Sequence, residues 1–150
     1  MPIKKPTTRV PVTGAPSKRI GRFADLDKDK LRGGYYTSSE VARWLCSWAI
    51  RSPTDRVLEP SCGDGAFLDA AARRYIELGA RSPAIAKRLT GIEIVAAEAA
   101  SARVRLRSSL GLLAPDVVKN SDFFDWWQKS AQRTFDAVVG NPPFIRYQSF

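Results

Sequence analysis

The stretch Asn141-Pro142-Pro143-Phe144 places an amide, two prolines and an aromatic ring in direct succession. It follows Phe135-Asp136-Ala137-Val138-Val139-Gly140, whose apolar and β-branched residues predict a buried strand. That strand must stop at the prolines, which lack an N–H and disfavour helical geometry in the residue before them. What is left is a rigid corner displaying the Asn141 side-chain oxygen, the Pro142 carbonyl and the Phe144 ring. Two acceptors beside a ring suit an amine whose lone pair is delocalised into its own aromatic system, as in a nucleobase. Acceptors on both hydrogens hold such a nitrogen closer to tetrahedral and aim its lone pair at an electrophile. The ring can stack on a base that has left its duplex. The same residues also serve as a plain strand-ending turn, so the reading depends on what accompanies them.

Several elements are needed to deliver an electrophile there. Arg56-Val57-Leu58-Glu59-Pro60 predicts a short strand, and Ser61-Cys62-Gly63-Asp64-Gly65 a tight loop. Phe67, Leu68, Ala71, Ala72, Tyr75 and Ile76 then share a helical face that ends near Gly79. Strand, Gly-x-Gly loop and helix make the start of a nucleotide-binding α/β unit, with backbone approaching a ligand near a helix N-terminus. Leu68 stands where a dinucleotide fingerprint has its third glycine, which argues against NAD. Leu89–Ile94 predicts a second strand tipped by Glu93, an acid placed to accept ribose hydroxyls or simply to face water. An alanine-rich helix over 95–110 follows, with Arg103, Arg105 and Arg107 on different faces as solvated charge. Residues 117–123 predict a third strand ending in Asp122 and Phe123, an acid and a ring able to grip a purine. Trp126 and Trp127 are expected in the core. Upstream, Gly33-Gly34-Tyr35-Tyr36-Thr37 leads into a helix with a Thr37-to-Glu40 capping box and a core face of Val41, Trp44, Leu45, Trp48 and Ala49.

Composition narrows the chemistry. The chain has no histidine, so histidine-based acid–base relays are excluded, and Cys46 and Cys62 have no metal-binding spacing. Hydrophobic content of 44% is that of a globular protein. No apolar run is long enough for a membrane span and no signal-peptide core is visible, so a cytoplasmic protein is expected. The net charge is +9, of which +6 lies in residues 1–32, with nine Lys/Arg against three Asp. This proline-rich segment is expected to be a largely disordered leader. Its charge fits a polyanion such as nucleic acid, or a solubilising tail.

Gly63, Gly65, Glu93, Asp122 and Asn141 all fall at predicted strand C-termini, where open α/β sheets bind ligands. In this order, the motifs together resemble the class I S-adenosylmethionine-dependent DNA methyltransferases, specifically adenine-N6 enzymes of the gamma arrangement. The resemblance runs from about Gly33 to Phe150, and Ile145-Arg146-Tyr147 resembles large restriction-associated members. It implies a Rossmann-like α/β fold, a mostly parallel sheet with helices on both faces. It implies that Tyr36, Thr37, Ser61, Cys62, Gly63 and Gly65 hold the methionine end of S-adenosylmethionine, with Glu59 orienting the loop or the ammonium. Glu93, with Ile94 beside it, would take the ribose, and Asp122 and Phe123 the adenine. Asn141, Pro142 and Phe144 would be catalytic. No metal is implied.

In that family the domain continues into further strands and a target-recognition domain, whereas this chain ends six residues after Phe144. The sheet is therefore expected to stop after its fourth strand, with residues 33–150 the N-terminal part of the methyltransferase domain. The implied partners are double-stranded DNA, the missing C-terminal half or recognition domain, and a restriction nuclease. Methylation of RNA adenine or of a protein glutamine uses related corners, although the Gly-Gly-Tyr-Tyr-Thr turn argues against the glutamine enzymes. A non-catalytic cofactor- or DNA-binding protein, and cytosine-N4 as the target, also remain compatible with the sequence.

Overall fold

The structure, a computed structural model, describes residues 37–111, 117–131 and 134–142. The leader, Gly33 to Tyr36, Pro143, Phe144 and Ile145-Arg146-Tyr147 lie outside the described residues. The elements in chain order are α1 (Ser39–Ala49), β1 (Val57–Glu59), α2 (Ala66–Glu77), α3 (Ser82–Ala86) and β2 (Leu89–Glu93). They are followed by α4 (Ala96–Leu110), β3 (Val118–Asn120), α5 (Phe123–Lys129) and β4 (Ala137–Val138).

The four strands form one sheet in the order β3-β2-β1-β4, and every pairing is parallel. Chain order therefore runs outward from β1 through β2 to β3, then returns across the sheet to β4. α2 and α4 lie on the two outward crossovers and pack on each other, with α1 against α2. α5 lies on the returning crossover. Because parallel crossovers are right-handed, a connection of opposite direction carries its helix to the opposite face. The α/β class and the parallel sheet expected from the motif order are present.

The core is aliphatic and small. Val57, Leu89, Ile92 and Val118 from the strands meet Leu68, Ala71, Ala72, Tyr75, Ala102 and Leu106 from the helices. Tyr75 is fully buried, and its hydroxyl donates to the Asp55 carbonyl. Ile76, expected on the same face, is exposed.

Helix α1 departs from expectation. Val41, Trp44 and Trp48 face solvent, the tryptophans at 68% and 76% exposure, while Ala42 and Cys46 are buried, with Leu45 and Ala49 beside them. Both stripes have helical spacing, so periodicity alone does not choose between them. Close approach chooses: the Cys46 thiol lies 3.7 Å from the Phe67 carbonyl, and only small residues fit that seam. The cap differs too. Ser38 is the N-cap and its hydroxyl accepts from the Val41 amide at 3.3 Å, so there is no Thr37–Glu40 box.

Two further strands are shorter than expected. β3 stops at Asn120 because Asp122 caps α5, its Oδ1 accepting from the Phe124 and Asp125 amides at 2.8 and 3.1 Å. β4 holds two residues at the edge of the described sheet. Only Val139 beyond it is buried, while Val138 is 62% exposed.

Candidate functional site

The strand order reverses between β1 and β4, whose outgoing chains leave side by side at the C-terminal edge of the sheet. Such a reversal opens a crevice, because the flanking connections depart to opposite faces. One wall is the loop from Pro60 to Gly65, and the other is the corner from Val139 to Pro142.

The loop is held from several sides. The Cys62 amide donates to the Ile92 carbonyl at 2.8 Å, and the Gly65 amide to the Cys62 carbonyl at 2.8 Å. Gly65 caps α2 with φ +85°, and a Cβ there would sit 2.9 Å from the Ala102 Cβ. Only glycine satisfies both the left-handed backbone and the approach of α4. Gly91 on β2 is close-packed against side chains instead, since a Cβ there would lie 2.5 Å from Leu68 Cδ1. Leu68, in place of a third glycine, thus fills the space that a glycine on the strand leaves open.

Glu93 is buried, and both its oxygens meet backbone amides: Oε2 accepts from Gly63 and Oε1 from Val95, each at 2.8 Å. The strand-tip acid therefore ties the glycine loop to β2, and each oxygen keeps a lone pair for a further donor. Ile94 beside it is 65% exposed. Asn120, which the sequence did not single out, fastens the same tip. Its Nδ2 donates to the Glu93 and Ile94 carbonyls at 2.8 and 3.0 Å, and the Ser121 amide adds a bond to the Glu93 carbonyl at 3.0 Å. An amide residue at a strand end is the only signal that could have marked it.

Asp64 pairs with Arg105 of α4, and Arg103 donates to the Val118 carbonyl at 2.8 Å. Both arginines have structural partners and are not the free solvated charge the sequence suggested. An alanine-rich helix gives no sign of this, because the partners lie in a loop and a strand distant in sequence.

Glu59, at the tip of β1, is only 2% exposed, and its Oε2 has no hydrogen-bond partner; nor has the buried Ser61 hydroxyl. Burial, and then the Asp64 charge, push the Glu59 carboxyl well above the usual range. A hydrogen bond from the Leu68 amide works the other way, and Glu93 adds a smaller upward push. Burial and the nearby Glu59 raise the Cys46 thiol to about 12. The Cys62 thiol is raised further, by burial and then by Glu59 and Glu93. Neither sulfur is a nucleophile at neutral pH.

On the other wall, the Val139 amide donates to the Leu58 carbonyl at 3.0 Å, and the chain then leaves the sheet. A Cβ on Gly140 would lie 3.6 Å from Glu59 Cγ, so the corner starts against the buried acid. Asn141 and Pro142 are exposed at the crevice. The entry to β4 is anchored by Asp136, whose Oδ2 accepts from the Arg56 amide at 2.7 Å. Asp122 and Phe123 are half-buried at the N-terminus of α5. Phe123, Trp126 and Trp127 form an aromatic group that Phe135 joins through the two tryptophans, with ring centroids 6.1 to 6.4 Å apart. Those tryptophans are half-buried in a surface cluster, because α5 is a short helix with no fully buried residue.

Thr37 stands two residues before α1, and the other described candidate residues lie toward the C-terminal edge of one sheet, so the arrangement is that of a parallel α/β protein with its candidate site at the switch point. The N-6 DNA methylase family model matches residues 19–148, and the chain belongs to that family. It is 25% identical to the type II methyltransferase M.HincII of Haemophilus influenzae, over 83% of this chain and 20% of the relative. It is 32% identical to the type II methyltransferase M.BstVI of Geobacillus stearothermophilus, over 62% of this chain and 20% of the relative. The chain thus spans about a fifth of the length of these curated relatives. A modification subunit assigned to a type I restriction enzyme of Vibrio vulnificus YJ016 shares the fold. Its TM-score is 0.51 at 20% identity, covering 72% of this chain and 22% of that one.

Proposed function

We propose that this chain carries the cofactor crevice and the amine-positioning corner of a DNA adenine-N6 methyltransferase that uses S-adenosylmethionine. The observation that carries the reading is the meeting, at one switch point, of a glycine loop with orphaned polar atoms and the Asn141-Pro142 corner. The residues suit the cofactor's chemistry. Glu59 Oε2 and Ser61 Oγ lack partners at the loop, where a cationic, polar methionine end would supply them. Glu93 keeps lone pairs for ribose hydroxyls, and exposed Ile94 offers an apolar surface beside it. Asp122 spends Oδ1 on the helix cap, so Oδ2 is the oxygen for the adenine amine, with Phe123 adjacent. Tyr36, Thr37, Cys62, Gly63 and Gly65 complete the cofactor set.

When bound, the cofactor supplies a methyl group on a sulfonium. The chain's part is positioning. Asn141 and Pro142 accept from the two hydrogens of the target amine and turn its lone pair toward the methyl, while Phe144 stacks on the flipped base. Excluding water strengthens both hydrogen bonds. The substrate is double-stranded DNA in the cytoplasm. We assign residues 1–32 as a basic leader and 33–150 as part of a larger methyltransferase domain. Its partners are a target-recognition region and, in a restriction system, a nuclease. Transfer of tritiated methyl from S-adenosylmethionine to mixed-sequence duplex DNA tests this, with the protein alone and supplemented with the recognition polypeptide. Label on N6 of adenine is expected once recognition is supplied. Label on RNA or protein instead, or none on DNA under any condition, would refute the DNA assignment.

A further inference from the structure

The pairing of β2 with β3 ends at Glu93 and Asn120, and there the two chains part. β2 runs through Ile94 and Val95 into α4, while β3 runs through Ser121 and Asp122 into α5. The Asn120 side chain carries the pairing past that point. Its Nδ2 donates to the Glu93 carbonyl at 2.8 Å and to the Ile94 carbonyl at 3.0 Å, one hydrogen for each. Asparagine suits this task by its chemistry: a carboxylate has no donor, a hydroxyl has one, and the glutamine amide sits a methylene further out. Asn120 is exposed, so packing imposes no such choice. Val95 caps α4 without a side-chain bond, and its amide donates to Glu93 Oε1. Glu93 therefore spends both oxygens on Val95 and Gly63, and its own carbonyl is held from β3 by Asn120 and the Ser121 amide.

Resting on the cofactor assignment above, we propose that Asn120 is a positioning residue for the adenosine half of S-adenosylmethionine, a brace that sets the spacing between Glu93 and the Asp122–Phe123 pair. It acts through those residues and not by touching the cofactor. The ribose and purine of one nucleoside have a narrow range of separations, so their two receptors must be held at a matching distance. Here the receptors stand on neighbouring strands that diverge into α4 and α5, and Asn120 ties one tip to the other just where they separate. Without the brace, the spacing relaxes in the free protein and must be restored on binding, at a cost in affinity. The Asn141 corner lies on the far side of β1 from this pair of strands. Once the cofactor is seated, the transfer step is therefore untouched.

Titration calorimetry with S-adenosylmethionine and with 5′-methylthioadenosine, which keeps the adenosine and lacks the methionine end, tests the proposal. Asn120→Ala should weaken both ligands alike, by about tenfold, as two donated hydrogen bonds are lost. Asn120→Asp, which keeps the size and loses the donors, should bind at least as weakly as Asn120→Ala. In methyl-transfer assays with the recognition polypeptide supplied, KM for the cofactor should rise in both variants. There kcat and KM for DNA should stay within about twofold of wild type, a split that general loss of structure would not produce. Wild-type affinity in Asn120→Asp, or a fall in kcat with KM for the cofactor unchanged, overturns the proposal while leaving the cofactor assignment standing. A melting temperature far below wild type in both variants makes Asn120 part of the scaffold and overturns it as well. Failure of the wild-type protein to bind either ligand removes the cofactor assignment and this proposal together.

Discussion

The loop after β1 and the corner after β4 leave neighbouring strands at the same sheet edge, yet they are built in opposite ways. In the loop, successive amides are satisfied by Ile92, Glu93 and Cys62, Asp64 is held by Arg105, and Gly65 is pressed against Ala102. The corner follows a two-residue edge strand, is joined to β1 through the Val139 amide, and leaves Asn141 and Pro142 exposed. A small, invariant ligand is best served by a preorganised wall, whose conformational cost has been met in folding. A nucleotide arriving on a polymer needs an open wall that the polymer itself can cover. Under the function proposed above, rigidity belongs to cofactor binding and openness to substrate entry.

The largest expected effect lies at the corner. With the recognition polypeptide supplied, Asn141→Ala should reduce methyl transfer to DNA by about a hundredfold or more, by analogy with losing one oriented partner in a transition state. Cofactor affinity by calorimetry and the melting temperature should stay near wild type. A variant that unfolds would make the corner part of the scaffold. Next comes the loop, where Gly65→Ala meets both a left-handed backbone and the Ala102 Cβ. It should destabilise the fold by about 2 kcal/mol, read as a lower midpoint in denaturant. An unchanged midpoint would mean that the loop is softer than its bonding implies.

Glu93→Ala should weaken S-adenosylmethionine binding by at least about tenfold, since charge-assisted bonds are worth about 1.5–3 kcal/mol each. It should also free the Gly63 and Val95 amides to exchange faster with deuterium. Unchanged affinity alongside faster exchange would confine Glu93 to tying the loop. Stability should carry a pH signature as well. The Glu59 carboxyl is raised in the folded protein, so its contribution is fully present below the ordinary glutamate range and is lost as pH rises toward its folded value. Glu59→Gln should remove this loss, so its melting temperature should exceed wild type at neutral pH and converge with it in acid. The smallest effect is expected at Trp48→Ala, within about 0.5 kcal/mol, because that ring is in solvent. A larger loss would mean that α1 buries the Val41-Trp44-Trp48 stripe after all.

Much of this architecture is local in origin and was legible before any coordinates. Strand, glycine loop and helix from Val57 to Gly79 follow from backbone rules that act within a few residues. The end of β4 before Asn141, and the placement of the candidate residues at strand ends, follow from the alternation of elements. What could not be read were choices that depend on approach between distant segments. Val41-Trp44-Trp48 and Ala42-Cys46-Ala49 are equally periodic, and only the closeness of α1 to α2 decides which is buried. Asp122 had to choose between a strand end and a helix cap, and capping two amides prevailed. Arg105 found Asp64, and Asn120 found the Glu93 tip, across 41 and 27 residues of chain. The state of Glu59 is the clearest case. Its sequence neighbours show only an acid before a proline, and it takes β2, α1, α2 and the β4 exit together to bury it beside other carboxylates with one oxygen unpaired. Local chemistry therefore determined which groups stand at the sheet edge, and packing alone decided which of them are tied, which are open, and which bears the electrostatic load.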